Sequence, residues 1–145
     1  MGGQELVQMV VCRRAEEALK EVRRYCPNAT IRTQVSQGRG IITLYQDCFI
    51  ISKEFVETAE TLSSVHCMTE YQRVLQGKAR LVLIVPKPHA VRTRMRLLEF
   101  NNWWLFYYQV FFYDEQGYIK YVDRKTLCEL MGRPCEASPI APEIV

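Results

Sequence analysis

The sequence lacks the patterns that mark several large classes of protein. No apolar run approaches the ~18 residues of a membrane-spanning helix, and the run at residues 81–86 is far shorter. Residues 1–5 do not lead from a basic stretch into an apolar run, so we expect no secretory signal, no membrane partner and a cytoplasmic location. The apolar content of 48% and the charged content of 24% are those of a globular protein. The 145 residues therefore predict one domain, 1–135, followed by an irregular proline-containing tail, 136–145.

The cysteines and histidines form no metal or redox motif. No two of the six cysteines are spaced as Cys-x-x-Cys, and the two histidines do not form His-x-His or His-Glu-x-x-His. We therefore assign no metal ligand, no cofactor and no catalytic residue. A domain of this length needs no disulfide for stability, so we expect reduced and mostly buried cysteines. Cys128 and Cys135 could still form a disulfide if their loop folds back.

The periodicity of apolar residues predicts an α/β fold, in which helices pack on a single mixed or antiparallel sheet. The predicted elements up to residue 85 are a strand at 6–12, a helix at 13–26, a hairpin at 30–51, a helix capped by Ser52, a short helix opened by Thr69, and a strand at 80–85. This order matches the ferredoxin-like βαββαβ arrangement. A competing order drops the weak first strand and opens with the helix.

The rest of the chain predicts a C-terminal helix, a β-hairpin and a short helix. The helix spans residues 90–100, and the hairpin joins strands at 103–113 and 118–122 through a turn at Asp114–Gly117. Asp123 is predicted to cap the short helix, 124–131.

One segment of the chain has an unusual charge distribution. The formal net charge is only +3, but no acidic residue occurs between Tyr71 and Leu98. The basic residues in this window are Arg73, Lys78, Arg80, Lys87, Arg92, Arg94 and Arg96. Such an asymmetry is informative about partners.

The basic helix predicted at 90–100 is the first candidate site. His89, Arg92 and Arg96 are spaced i, i+3 and i+7 and so share one face, whereas Arg94 points elsewhere with Lys87. Arginine side chains and a helix start beside Lys87 suit phosphate groups, so we predict nucleic-acid or phosphate binding by these five residues. In the alternative interpretation the arginines pair with Glu54, Glu57 and Glu60.

The aromatic strand at 103–113 is the second candidate site. It is apolar or aromatic on both faces, so something must cover the face that carries Trp103, Tyr107 and Tyr113. A helix of the same chain, a second subunit, or stacked bases would each do so. We predict that these three residues form a stacking or interface surface, and that the protein is a homodimer.

These observations give three hypotheses about function. The leading one is a small non-catalytic nucleic-acid-binding or regulatory protein that uses the basic helix and the aromatic residues near it. The second is a homo-oligomeric protein-interaction module with no nucleic-acid role. The third is a metal-dependent nuclease that uses Asp47, or Asp114 with Glu115, although these residues also suit ordinary turns.

Overall fold

A computed structural model describes residues 3–100 and 108–134 of the protein. Within these residues the chain forms six strands and five α-helices. The strands are β1 (Thr30–Ser36), β2 (Arg39–Gln46), β3 (Phe49–Val56), β4 (Arg80–Pro86), β5 (Tyr108–Tyr113) and β6 (Ile119–Tyr121). The helices are α1 (Gly3–Arg23), α2 (Ala59–Leu62), α3 (Cys67–Gln76), α4 (Ala90–Leu97) and α5 (Arg124–Leu130), and a 3-10 turn, Lys87–His89, leads into α4.

The six strands form one mixed sheet in the order β1-β2-β3-β4-β5-β6. The first three strands are an antiparallel meander, β3, β4 and β5 run parallel, and β6 returns antiparallel to β5. The β1–β2 turn contains only Gln37 and Gly38, with φ angles of 54° and 75°. Positive φ at both positions defines a type I′ turn, which suits the right-handed twist of the two strands.

Helices cover both faces of the sheet, so the protein has three layers. The α1 face carries a core that includes Val10, Ile42 and Ile84, and the opposite face packs against α2, α3, α4 and α5. The central strand β4 contributes to both cores, because its buried residues alternate between the two faces. This explains its unbroken apolar sequence and confirms the prediction of a strand in the middle of the sheet.

The ferredoxin-like order is not adopted, because the predicted first strand at 6–12 is helical. Residues 6–12 are the first half of α1, and Val7, Val10, Val11, Arg14 and Ala18 form its buried stripe. Their spacing of three and four continues through both halves of the helix. The α/β class with a single mixed sheet is confirmed, and the chain opens with a helix, as in the competing order.

The prediction of a helix after Ser52 is also wrong. Ser52 lies inside β3, and Ser52, Glu54 and Val56 are buried at alternate positions, as in a strand. The helix begins only at Ala59, and its N-cap is Thr58, whose side chain accepts a hydrogen bond from the Thr61 N–H. The Thr69 capping box does not form either, since α3 begins at Cys67.

The C-terminal predictions are confirmed where the structure describes the chain. β5 and β6 form the predicted hairpin, and the Asp123 side chain accepts a hydrogen bond from the Thr126 N–H at the start of α5. Trp103 and Tyr107, as well as the predicted tail, lie outside the described residues. None of the described helices is long and apolar enough to span a lipid bilayer.

The prediction of mostly buried cysteines is wrong. Cys67 is buried in the core, Cys12 and Cys48 are exposed, and Cys26 and Cys128 are half-buried, all of them as free thiols. Cys135, the predicted disulfide partner of Cys128, lies outside the described residues.

A buried ion-pair network, the Arg14 network, holds α1 against the sheet. Glu54 of β3 is fully buried, and its carboxylate accepts hydrogen bonds from Arg14 Nε at 2.6 Å and Arg14 Nη2 at 3.1 Å. Arg80 of β4 adds a contact of 3.2 Å to Glu54 and also reaches Glu21 of α1. Burial opposes the ionisation of Glu21, but its hydrogen bonds to Arg14 and the charge of Arg80 keep its pKa below the usual value. The network therefore places two arginines and two glutamates within ion-pair distance of one another.

A second network, the Arg39 network, lies on the opposite face. Arg39 of β2 contacts the buried carboxylate of Glu57 at 2.7 Å and that of Glu70 in α3 at 2.7 Å. Tyr71 donates a hydrogen bond to Glu57, and the Arg39 guanidinium carbon lies 4.6 Å from the centre of the Phe55 ring. The network joins β2, the end of β3 and α3.

Replacing Arg14 by methionine should destabilise the fold strongly. Arg14→Met leaves the buried Glu54 carboxylate with Arg80 alone, and breaking a buried pair in this way typically costs about 3–5 kcal/mol. The free energy of unfolding, measured in urea by circular dichroism, should fall by that amount. Arg14→Met combined with Glu54→Leu should recover most of the loss, and the exposed Arg24→Met should change little. A loss below about 1 kcal/mol in Arg14→Met would contradict the structural role of the network.

Candidate nucleic-acid interface

The basic residues between Tyr71 and Leu98, where the sequence has no acidic residue, do not form one surface patch. The fold places their side chains in different parts of the molecule. Arg80 belongs to the Arg14 network. Arg73 lines a groove between α3 and β3 together with Lys53, and Lys78 is exposed in the turn before β4. Lys87 lines a cavity at the carboxyl ends of β4 and β5. The remaining three arginines are those of α4.

His89, Arg92 and Arg96 line one groove between α2 and α4, as their helical spacing predicts. This α2–α4 groove has a volume of about 420 Å³, and Leu62, Ser63 and Thr93 also line it. Arg92 is exposed, and His89 and Arg96 are half-buried. With a rise of about 1.5 Å per residue, the three basic side chains extend over roughly 10 Å of the helix.

No carboxylate among the described residues forms an ion pair with His89, Arg92 or Arg96. The alternative interpretation paired the arginines with Glu54, Glu57 and Glu60. The structure contradicts it for Glu54 and Glu57, which are fully buried in the Arg14 and Arg39 networks. The groove therefore retains its positive charge.

Arg94 and Lys87 lie apart from the α2–α4 groove. The Arg94 guanidinium donates a hydrogen bond of 3.0 Å to the Val122 carbonyl, which ties α4 to the residue after β6. Lys87 lines the cavity of about 820 Å³ that also contains Asp114 and Glu115, and its ammonium lies 5.6 Å from the Phe112 ring centre. Of the five predicted phosphate-binding residues, the structure brings together three.

Tyr113 is a core residue and offers no exposed ring for stacking. It is only 4% exposed, and its hydroxyl donates a hydrogen bond of 2.7 Å to the Glu57 carbonyl. The face of β5 that it shares with Phe111 packs against the α1-face core, and Arg14 lies 4.2 Å from the Phe111 ring centre. The aromatic pattern predicted that something must cover this face of the strand. For the described part of β5, a helix of the same chain, α1, covers it.

The carboxylates considered for a nuclease are not brought together. Asp47 lies in the β2–β3 turn and Asp114 and Glu115 in the β5–β6 turn. Because β3 and β5 run in the same direction, the start of β3 and the end of β5 lie at opposite ends of the sheet. Asp114 accepts hydrogen bonds from the N–H groups of Gln116 and Tyr118, the turn role that its residue type favours. Across residues 3–100 and 108–134, no three metal-ligating side chains cluster.

Sequence reasoning missed the polar residues that complete the groove, Ser63 and Thr93. Thr93 lies between the predicted arginines, but Ser63 follows a helix whose contact with α4 is tertiary. No pattern within the chain indicates that contact. Comparisons of the chain with protein-family models, with curated proteins and with solved structures find no match.

Tyr113 should make the stability of the protein sensitive to alkaline pH. Burial, followed by the charges of Glu57 and Glu60, raises its pKa to about 12. The folded state then keeps the phenolic proton between the usual value near 10 and about 12, whereas the unfolded state loses it. The free energy of unfolding should therefore fall across this range, by at most about 2.7 kcal/mol for this group.

Urea titrations from pH 9 to pH 12 on the parent protein and on Tyr113→Phe measure this contribution. The variant should be less stable at pH 9, by about 1 kcal/mol for the lost hydrogen bond, and should decline less as the pH rises. Parallel declines in the two proteins would contradict the assignment.

Proposed function

We propose that the protein binds nucleic acid through the phosphate groups that enter the α2–α4 groove. The observation that carries this proposal is the pair of guanidinium groups of Arg92 and Arg96, which line the groove beside His89 and which no described carboxylate neutralises. Cations lined up without counter-charges attract a polyanion and release its condensed counterions when they bind it.

The chemistry of the groove residues suits phosphate. The planar guanidinium groups of Arg92 and Arg96 can each donate two parallel hydrogen bonds to one phosphate. They are four residues apart, about 6 Å along the helix axis, so they can contact successive phosphates. The His89 ring lines the same groove and can donate a hydrogen bond to one of the remaining oxygens.

The proposed site is narrower than the sequence alone suggests. Arg94 is set aside because it donates to Val122, and Lys87 because it lines a different cavity. The proposal includes no stacking residue, since Tyr113 is buried. Binding through phosphates alone favours no base, so we expect little sequence specificity.

Removing the two groove arginines should weaken binding and lower its dependence on salt. Each arginine–phosphate contact contributes on the order of 1 kcal/mol, so Arg92→Gln with Arg96→Gln should raise Kd by about tenfold or more at low salt. The slope of log K against log salt concentration should shrink by about 1.4 on a single strand. Fluorescence anisotropy with labelled single-stranded RNA, single-stranded DNA and duplex DNA at several salt concentrations measures both quantities.

The matched control is the double variant Arg24→Gln with Arg133→Gln. Both residues are exposed and lie outside the groove, and the change in net charge is the same. Its Kd should stay near that of the parent protein. An equal loss in the control, or none in the groove variant, would refute the proposal. Urea unfolding of both variants checks that the fold is intact.

A further inference from the structure

The two edges of the sheet are protected to different degrees. The β6 edge is only three residues long and carries Lys120, which discourages pairing with another strand. The β1 edge is seven residues long, contains no proline, and pairs with β2 in an unbroken register. No other described strand pairs with β1. A long regular edge of this kind can accept a further strand.

The β1–β2 turn fixes which backbone groups point to that open edge. In a four-residue turn the first carbonyl accepts from the last N–H, so Ser36 and Arg39 form a hydrogen-bonded pair. Hydrogen-bonded and non-hydrogen-bonded pairs alternate along an antiparallel ladder. Gln34 and Arg32 therefore bond to β2, whereas Val35, Thr33 and Ile31 direct their N–H and C=O groups away from it.

The sequence of β1 is complementary to itself when reversed about Thr33. Around this centre Arg32 corresponds to Gln34, Ile31 to Val35 and Thr30 to Ser36. Ile31 with Val35 and Thr30 with Ser36 match in size and chemistry, and Arg32 meets a neutral amide rather than a second Arg32. The outward-pointing residues Ile31, Thr33 and Val35 would form three hydrogen-bonded pairs in this register.

The flank of α1 beside β1 is also suited to a copy of itself. The opposite flank contacts the β5–β6 turn, where Arg13 donates to the Gln116 carbonyl at 3.1 Å. The flank towards β1 carries an uncharged stripe at alternating spacings of four and three, formed by Gln8, Cys12, Ala15, Leu19 and Val22. Ala15, Leu19 and Val22 are only half-buried, as are Ile31 and Val35 of β1, so apolar surface remains to be covered on this side.

We infer that two copies of this chain pair through β1, antiparallel and centred on Thr33, to form a dimer with one continuous sheet. The twofold axis is perpendicular to the sheet, so both copies of α1 lie on the same face with their uncharged stripes adjacent. This interface is separate from the α2–α4 groove and does not depend on nucleic-acid binding.

The register predicts the effect of charges at position 34. Residue 34 of one copy lies opposite Arg32 of the other in a non-hydrogen-bonded pair, where side chains are closest. Gln34→Glu should tighten the dimer and Gln34→Arg should weaken it, each by about two- to thirtyfold in Kd because the pair occurs twice. Arg32→Glu combined with Gln34→Arg restores opposite charges and should return the affinity towards that of the parent.

Sedimentation velocity over a range of protein concentrations measures these constants. The parent should reach twice the chain mass of 17.0 kDa. The control Thr30→Glu places the same new charge on the same strand face, but opposite Ser36, and should leave Kd unchanged. Circular dichroism confirms that each variant folds.

Two results would overturn the inference. The first is a parent protein that stays monomeric up to hundreds of micromolar, which would leave the edge for another partner. The second is a dimer whose Kd does not follow the charge pattern at positions 32 and 34.

Discussion

The burial of Glu54 is the constraint on which the rest of the structure depends. A carboxylate with no solvent exposure in the middle of a sheet needs paired charges, and Arg14 and Arg80 supply them from a helix and a neighbouring strand. Glu57 creates the same need on the other face, and Arg39 meets it. Two acidic residues are thereby withdrawn from the surface, and three arginines are held in ion pairs with them. Arg92 and Arg96 of α4 line the groove without those carboxylates.

Elements with local sequence signals were predicted correctly, whereas the burial of Glu54 and Glu57 explains why one helix was predicted wrongly. β4, the hairpin of β5 and β6, and the cap at Asp123 follow from local signals, which the structure confirms. The sequence predicts a helix capped by Ser52 because Glu54 and Glu57 resemble the solvated side of an amphipathic helix. Their arginine partners are distant in the chain, so no local pattern reveals that they are buried. The shared face of His89, Arg92 and Arg96 was predictable from helical spacing, whereas the contact of α2 with α4 was not.

The two proposed surfaces, the β1 edge and the α2–α4 groove, would act together in a dimer. A twofold axis perpendicular to the sheet keeps corresponding faces on the same side, so a dimer formed through β1 would present both α2–α4 grooves on one face. A single nucleic acid long enough to reach both grooves would then bind the second groove with an effective concentration set by the length of nucleic acid between the two grooves. The dimer would raise affinity without adding any contact within either groove.

The central claim is that the fold divides the arginines into structural ones held in ion pairs with buried carboxylates and groove residues available to a ligand. NMR spectra of the arginine Nε–H groups test it directly when a single-stranded oligonucleotide is added to the assigned protein. We expect the signals of Arg14 and Arg39 to be protected from exchange and unmoved, while those of Arg92 and Arg96 shift in a saturable manner. A shift of Arg14 or Arg39 with no change at Arg92 and Arg96 would contradict the account.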